Sequence, residues 1–548
     1  MEFDTRRLKF HLILVVFCFL LPHCSKTDDA PPRNHHPSTA QPRIGGVYRS
    51  PLLNSPASLD PLYVEDIYGI CVVNQLFDGL VQFNPELLIT PALAENWQIL
   101  EDGKVYHFYL RENALFHNGL PVTARDVVFS LGRILRTEPA PSILPHLMKI
   151  VGAAEFRNHE RVDLPGVSSI GDGEVVVRLE EPYAPFLAAM GMHQTRVVPE
   201  REVLRDEPGF GRHPFGSGPF RFASWETDMI RLDRFQPYYG GPAYLVGLQF
   251  VIYPGGKIEE ALADFQSKRL HDLPALGKVR QALAGNTDLV RLHRPSLSLL
   301  FYGINCQHGL LRDARLRKAL SLAIDRQKMM DSVYQGQFEP ARSLLPPGMP
   351  GYSPDRQMVI DDPVEAQRML DQSIREKISM APPLEVAYAV QSPIAKAEIE
   401  YIRNSWAALG ISMEPKFILD WARFQEYVGS DAVQMYRYAW FVDMPDPDNI
   451  FQALFGSGSK VNYMRFRSGS VDHMLGLGRK TFRPMERQAI YQDIEDQVLM
   501  DQPVIPLVHL SIDHVYQASV HGVVLSALGD HLTRFHRVWL DRSSEPSN

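Results

Sequence analysis

The chain has 548 residues, 45 % of them hydrophobic and 22 % charged, a composition that allows more than one globular domain with a large core. Its formal net charge of −8 argues against a nucleic-acid role, which needs a basic footprint. The acidity is too mild to imply disorder.

Arg6, Arg7 and Lys9 precede an apolar run of ten residues, 12–21. That run is too short for a membrane span of about 20 residues and fits the core of an export signal, residues 1–24. Leu21-Pro22-His23-Cys24 resembles a bacterial lipobox, which makes Cys24 a lipid attachment point and the mature chain an exported, membrane-anchored protein. His23 departs from that pattern, whose residue before the cysteine is normally Gly, Ala or Ser; a plain signal peptide cut nearby is the alternative. Residues 25–43 are rich in Pro, His, Asp and Thr without periodicity and read as a flexible tether, in which His35-His36 is incidental. Beyond the leader, Cys71 and Cys306 stand in apolar contexts and are expected as buried free thiols.

The folded part begins with a strand over 46–50 and a turn at Ser58-Leu59-Asp60-Pro61. Residues 68–81 predict an apolar helix closed by Gly79 in a C-cap role. Asp102-Gly103, between strand-like runs at 96–100 and 104–111, predicts a hairpin. Its second strand would show Tyr106, Phe108 and Leu110 on one face and Val105, His107 and Tyr109 on the other. After a second turn at Asn118-Gly119, Thr123 is placed to cap a helix, with Asp126 as the acidic half of a capping box. Val127, Leu131, Ile134 and Leu135 follow at helical spacing. More strand and helix run through 155–199, including the alternating 175–179. The glycines of Gly216-Ser217-Gly218-Pro219 invite a phosphate-loop reading, which fails because no Gly-Lys-Ser/Thr follows and Pro219 has no N–H. A strand pair follows over 221–235.

Residues 299–305 predict a hydrophobic strand, after which Asp313 caps a helix over 314–330. Leu316, Leu320, Ala323 and Ile324 line its buried face, while Arg312, Arg315, Arg317 and Lys318 form a solvated one. A strand at 382–391, a helix at 397–409 ending at Gly410, and a strand at 411–418 lead to Trp421-Ala422-Arg423-Phe424. The strand 436–440 ends in a loop carrying Asp443, Asp446, Asp448 and Asn449. A calcium-loop reading lacks the usual glycine and distal glutamate, and Pro445 and Pro447 restrict the backbone, so turn chemistry is the better reading. No nucleophile elbow, His-Glu zinc helix or nucleotide loop occurs, so the chain reads as a non-enzyme without cofactor or metal. His531 and His536 read as surface or satisfied polar groups rather than ligands.

Three phrases joined in order carry a resemblance: P-A-L-A-E-N-W, D-G-K-V-Y-H-F-Y-L-R and F-H-N-G-L-P-V-T-A-R-D-V-V-F-S. With S-L-D-P, G-S-G-P-F, R-L-R-K-A-L-S-L-A-I-D-R and Y-R-Y-A-W-F-V-D added, the chain from about Ile44 onward resembles the family 5 extracellular solute-binding proteins. These are peptide- and nickel-type receptors that feed ABC importers. The resemblance implies a two-lobed α/β fold of the periplasmic-binding-protein kind (type II, cluster C), with an extra inserted α/β domain and a central ligand cleft. By landmark, residues 44–85 start the first lobe, 86–204 form the inserted domain and 205–300 return to the first lobe. Residues 301–518 make the second lobe and 519–548 cross back.

The resemblance further implies a monomer that captures a peptide and delivers it to a permease and ATPase encoded elsewhere. In dipeptide and oligopeptide receptors the aspartate three residues after a tryptophan pairs with the ligand's α-ammonium; by position that is Asp443 after Trp440. Ala439 replaces the glycine that often precedes this tryptophan. Tyr438 and Asn462 are expected on the ligand side as well, and Arg423 is the first residue to inspect for the ligand carboxylate. A nickel chelate or haem as ligand stays open, because those receptors share the fold and fold does not fix function. So does a secreted chaperone or peptidase-like protein, although the missing nucleophile and metal motifs count against catalysis.

Overall fold

The computed structural model describes residues 41–541; Cys24, the export signal and most of the tether lie outside the described residues. Three larger sheets organise it. In the first lobe Val47–Leu52 runs parallel to Gly247–Ile252, which pairs antiparallel with Met229–Arg234 and through it with Phe220–Trp225. The inserted domain holds four antiparallel strands in the order Ala94–Leu100, Val105–Leu110, Glu174–Arg178, Val167–Ile170. The second lobe has a six-stranded sheet with Ser298–Ile304 and Met435–Phe441 paired at its centre.

The inserted domain forms as its sequence dictates. Tyr106, Phe108 and Leu110 face a core shared with Val127, Leu131, Ile134 and Leu135 of the helix Ala124–Arg136. Thr123 and Asp126 make the reciprocal capping box that starts this helix. The hairpin is less tight than a two-residue Asp-Gly turn: Leu100 pairs with Val105, and Glu101, Asp102 and Gly103 all take positive φ. In the second lobe every residue of Ser298–Ile304 is buried. Leu299 and Phe301 enter one core while Leu300, Tyr302 and Ile304 enter another, so a strand covered on both faces reads as a continuous apolar run.

Four expectations are corrected. The first helix spans Ile67–Leu76 and ends in extended backbone at Phe77, so Gly79 is not its C-cap. Asp78 instead turns inward, accepting from Arg534 at 2.9 Å and from the Tyr238 and Tyr239 hydroxyls at 2.9 and 2.8 Å. The helix expected over 314–330 is two, Ala314–Leu322 and Arg326–Ser332, because Asp325 caps a second start by accepting from the Lys328 amide. Arg317 is buried rather than solvated; its Nε donates to the Asp501 and Gln502 carbonyls, satisfying the end of the helix Pro484–Asp501. Cys71 and Cys306 are free thiols but half-buried rather than buried.

Two passages join the second lobe to the rest. Leu289–Pro295 leads into Ser298–Ile304, and Val504–His509 leads into Ser511–Gln517. Ser511–Gln517 pairs with Asp272–Pro274 and Leu289–Pro295, not with the six-stranded sheet, so the chain leaves that sheet near Leu510. The passages are tied to each other: the Ser296 amide donates to the Leu510 carbonyl at 2.8 Å and the Leu510 amide to Ser298 Oγ at 3.1 Å.

Candidate functional site

The strand Met435–Phe441 is the platform of the site. Its alternation sends Tyr436, Tyr438 and Trp440 to one face and Arg437 and Ala439 to the other. Arg437 is spent on Glu398, which accepts from its Nε at 2.8 Å and is itself fully buried. The Tyr438 ring centre lies 5.6 Å from that of Trp421, 6.4 Å from Phe424 and 6.4 Å from Tyr463. Trp421 opens the helix Trp421–Gly429 and is 51 % exposed, so this aromatic cluster presents an accessible edge. Trp440 donates from Nε1 to Asn449 Oδ1 at 3.3 Å, which fixes its ring against the loop that follows.

That loop separates its carboxylates by task. Asp446 accepts from both terminal nitrogens of Arg487, at 2.8 and 2.7 Å, and from the Asp448 amide at 2.9 Å. Asp448 accepts from Arg479 Nε and Nη2 at 2.8 and 2.9 Å and from the Tyr491 hydroxyl at 3.2 Å. Burial opposes the charge on both arginines, and their bidentate partners outweigh it, raising both guanidinium pKa values. Asp443 has no hydrogen bond or ion pair among the described residues. It is solvent-exposed, yet desolvation by the surrounding protein raises its carboxyl above the ordinary value, with no cation to oppose that shift. Its neighbours are fixed on both sides: the Val442 amide donates to the Leu297 carbonyl at 2.9 Å, and Met444 is fully buried.

The remaining expected residues divide. Arg423 is exposed on the same helix as Trp421, with its amide capped by Asp420; its guanidinium makes no hydrogen bond or ion pair among the described residues. Asn462 is buried, its amide donating to the Gly456 and Phe466 carbonyls and accepting from the Phe466 N–H, so it shapes its own loop. Tyr463 beside it, rather than Asn462, joins the aromatic cluster. The sequence could not place Trp421 and Tyr463 beside Tyr438, because only the folded chain brings the helix Trp421–Gly429 and the loop at Tyr463 to that strand. Two cavities lie elsewhere. One of about 10 Å³ between Gln194 and Arg196 has room for about one water, and one of about 130 Å³ is lined by Leu316, Ile378 and Ile411. Neither touches Asp443.

Against known proteins, residues 89–462 match the model of the bacterial extracellular solute-binding proteins, family 5 middle. The dipeptide-binding protein of Escherichia coli is 27 % identical over 83 % of this chain and 88 % of its own length. Heme-binding protein A of Haemophilus influenzae is 26 % identical over 95 % and 98 %. The solved structure of DppA from Helicobacter pylori in complex with the peptide STSA superposes with a TM-score of 0.72 at 22 % identity, covering 91 % of this chain and 99 % of that one. The extent of the family match, with the two-lobed arrangement of sheets, decides the matter: the chain belongs to the bacterial extracellular solute-binding proteins of family 5.

Proposed function

We propose that this chain is a non-enzymatic, exported peptide receptor of an ABC importer. It captures its ligand between the lobes as a monomer and presents it to permease and ATPase subunits. The observation that carries the reading is Asp443: an exposed carboxylate with no partner among the described residues, raised by desolvation, just past the strand that carries Tyr438 and Trp440 and one residue from Val442, whose amide is tied to Leu297 of the passage between lobes. Such a group favours an ammonium, and the turn bonding that offers the bland explanation is done by Asp446 instead. Tyr438, Trp440 and Trp421 would take apolar parts of the ligand, and Arg423 is the candidate for its carboxylate. A ligand touching both lobes prefers the closed form and shifts the population toward it.

Calorimetry with a free peptide and its N-acetylated copy, on wild type and Asp443→Asn, tests this. Removing one side of a desolvated charge pair costs roughly 2–5 kcal/mol, about 30-fold to several-thousand-fold in affinity. Acetylation and Asp443→Asn should each weaken binding, and their effects should not add. Equal affinity of wild type for both peptides would make Asp443 a structural residue only.

The same reading places a lipid anchor on Cys24. Growth with labelled fatty acid should label the wild type and not Cys24→Ser; equal labelling of the two, or an unlabelled wild type, removes the anchor from the proposal.

A further inference from the structure

The residue after Asp443 leaves its own lobe. Met444 is fully buried in a core whose other buried members lie between Leu62 and Val197, nearly all of them in the inserted domain. The second lobe makes further contacts with that domain, whose Leu87 is in turn buried in the second lobe's core. The Ala184 amide donates to the Arg479 carbonyl at 2.7 Å, and Lys480 Nζ lies 2.8 Å from Glu181 Oε2. Phe482 lies across Gly103, where an added Cβ would stand 2.1 Å from the ring. Arg479 serves twice, since its guanidinium clamps Asp448 of the ligand loop while its carbonyl docks on Ala184.

We propose that Met444 is the plug of a latch: the inserted domain is the seat on which the second lobe closes, and seating Met444 sets the position of Asp443. When the lobes part, Met444 is withdrawn into water, so burying it favours the closed form whether or not ligand is present. A ligand held by Asp443 pulls on the adjacent residue, and a seated Met444 presents Asp443 already in place. Docking and capture are therefore one equilibrium, and the apparent affinity scales with the seated fraction. Met444 is a positioning residue and does not itself touch ligand. The link to affinity rests on the reading of Asp443 given above; the latch does not.

The test places cysteines at Glu181→Cys and Lys480→Cys and follows their cross-linking by a short bismaleimide, with each single substitution as the control for Cys71 and Cys306. In protein without ligand, Met444→Ala should slow cross-linking about tenfold or more, as loss of a buried methionine implies. Met444→Leu should restore most of the rate. Phe482→Ala should slow it as well without altering the ligand loop, which keeps the test informative if Met444→Ala folds poorly. An unchanged rate in Met444→Ala and Phe482→Ala overturns the latch, whatever the peptide experiments give. Adding the free peptide used in calorimetry should speed cross-linking in the wild type and less so in Asp443→Asn. A rate that ignores peptide, with Met444 still mattering, overturns the coupling and leaves a permanent joint in its place.

Discussion

Three aspartates within six residues look interchangeable in the sequence, and the fold gives them different lives. Asp446 and Asp448 are neutralised by arginines from helices further along the chain, whereas Asp443 is exposed and has no hydrogen bond or ion pair among the described residues. No spacing rule announces Arg479 and Arg487 as the partners, so the free aspartate was identifiable only by resemblance. A second buried acid–base group has a sharper consequence. His514 is buried, with Nε2 2.7 Å from Asp272 Oδ2 and Nδ1 3.5 Å from Asp530 Oδ2, and its ring stacks on Tyr516. Burial works against the charged ring, and the two carboxylates together outweigh it, raising the pKa to about 9. A histidine raised in the folded state stabilises fully below its unfolded pKa, about 6.5, and that contribution is lost as pH rises through about 9. The loss should be on the order of a few kcal/mol between pH 6.5 and 9.5. Denaturant unfolding of wild type and His514→Gln across that range checks it: the wild type should lose stability more steeply, and parallel curves would show that the ring is not charged.

At the scale of elements, what was legible had its cause nearby in the chain. Thr123 and Asp126 cap their helix from three residues apart, Asp313 caps the next basic helix, and the all-apolar run 298–304 is the centre of the second sheet. What was not legible depended on distant partners. The first helix stops at Leu76 because Asp78 is drawn to Arg534 and two tyrosines from other segments, which outweighs a local Gly79 cap. Arg317 looked like one of a solvated row, yet it closes the C-terminus of a helix that ends at Asp501. The glycines of the 216–218 turn illustrate the same limit. A Cβ on Gly216 would stand 1.9 Å from the Leu76 carbonyl oxygen and one on Gly218 2.6 Å from that of Gln75, so both are required by a close backbone approach. The sequence excluded a phosphate there but could not say what the glycines were for.

For the whole molecule, the two passages at Ser296–Leu297 and Leu510 are the covalent links between the six-stranded sheet and the first lobe among the described residues. The cores on either side interlock at a few residues, since Leu87 and Ala527 are buried with the second lobe's core and Met444 with the core on the other side, so a turn about these strands would expose those residues while leaving the rest of each core packed. The loop that carries Asp443 is tied to one passage through Val442 and Leu297 and reaches the core on the other side through Met444, so Asp443 lies between these two attachments. A ligand that needs both walls binds the folded, closed chain and not the unfolded one. At 100 times its dissociation constant it therefore adds about 2.7 kcal/mol of stability. Thermal-shift measurements against peptide mixtures, nickel chelates and haem should give a shift with peptides, accompanied by a smaller radius of gyration in X-ray scattering. A shift with haem or nickel chelates alone would move the ligand to that class while keeping the closure argument, since any ligand bridging the lobes stabilises the same state. A peptide shift without compaction would instead mean that one lobe holds the ligand by itself.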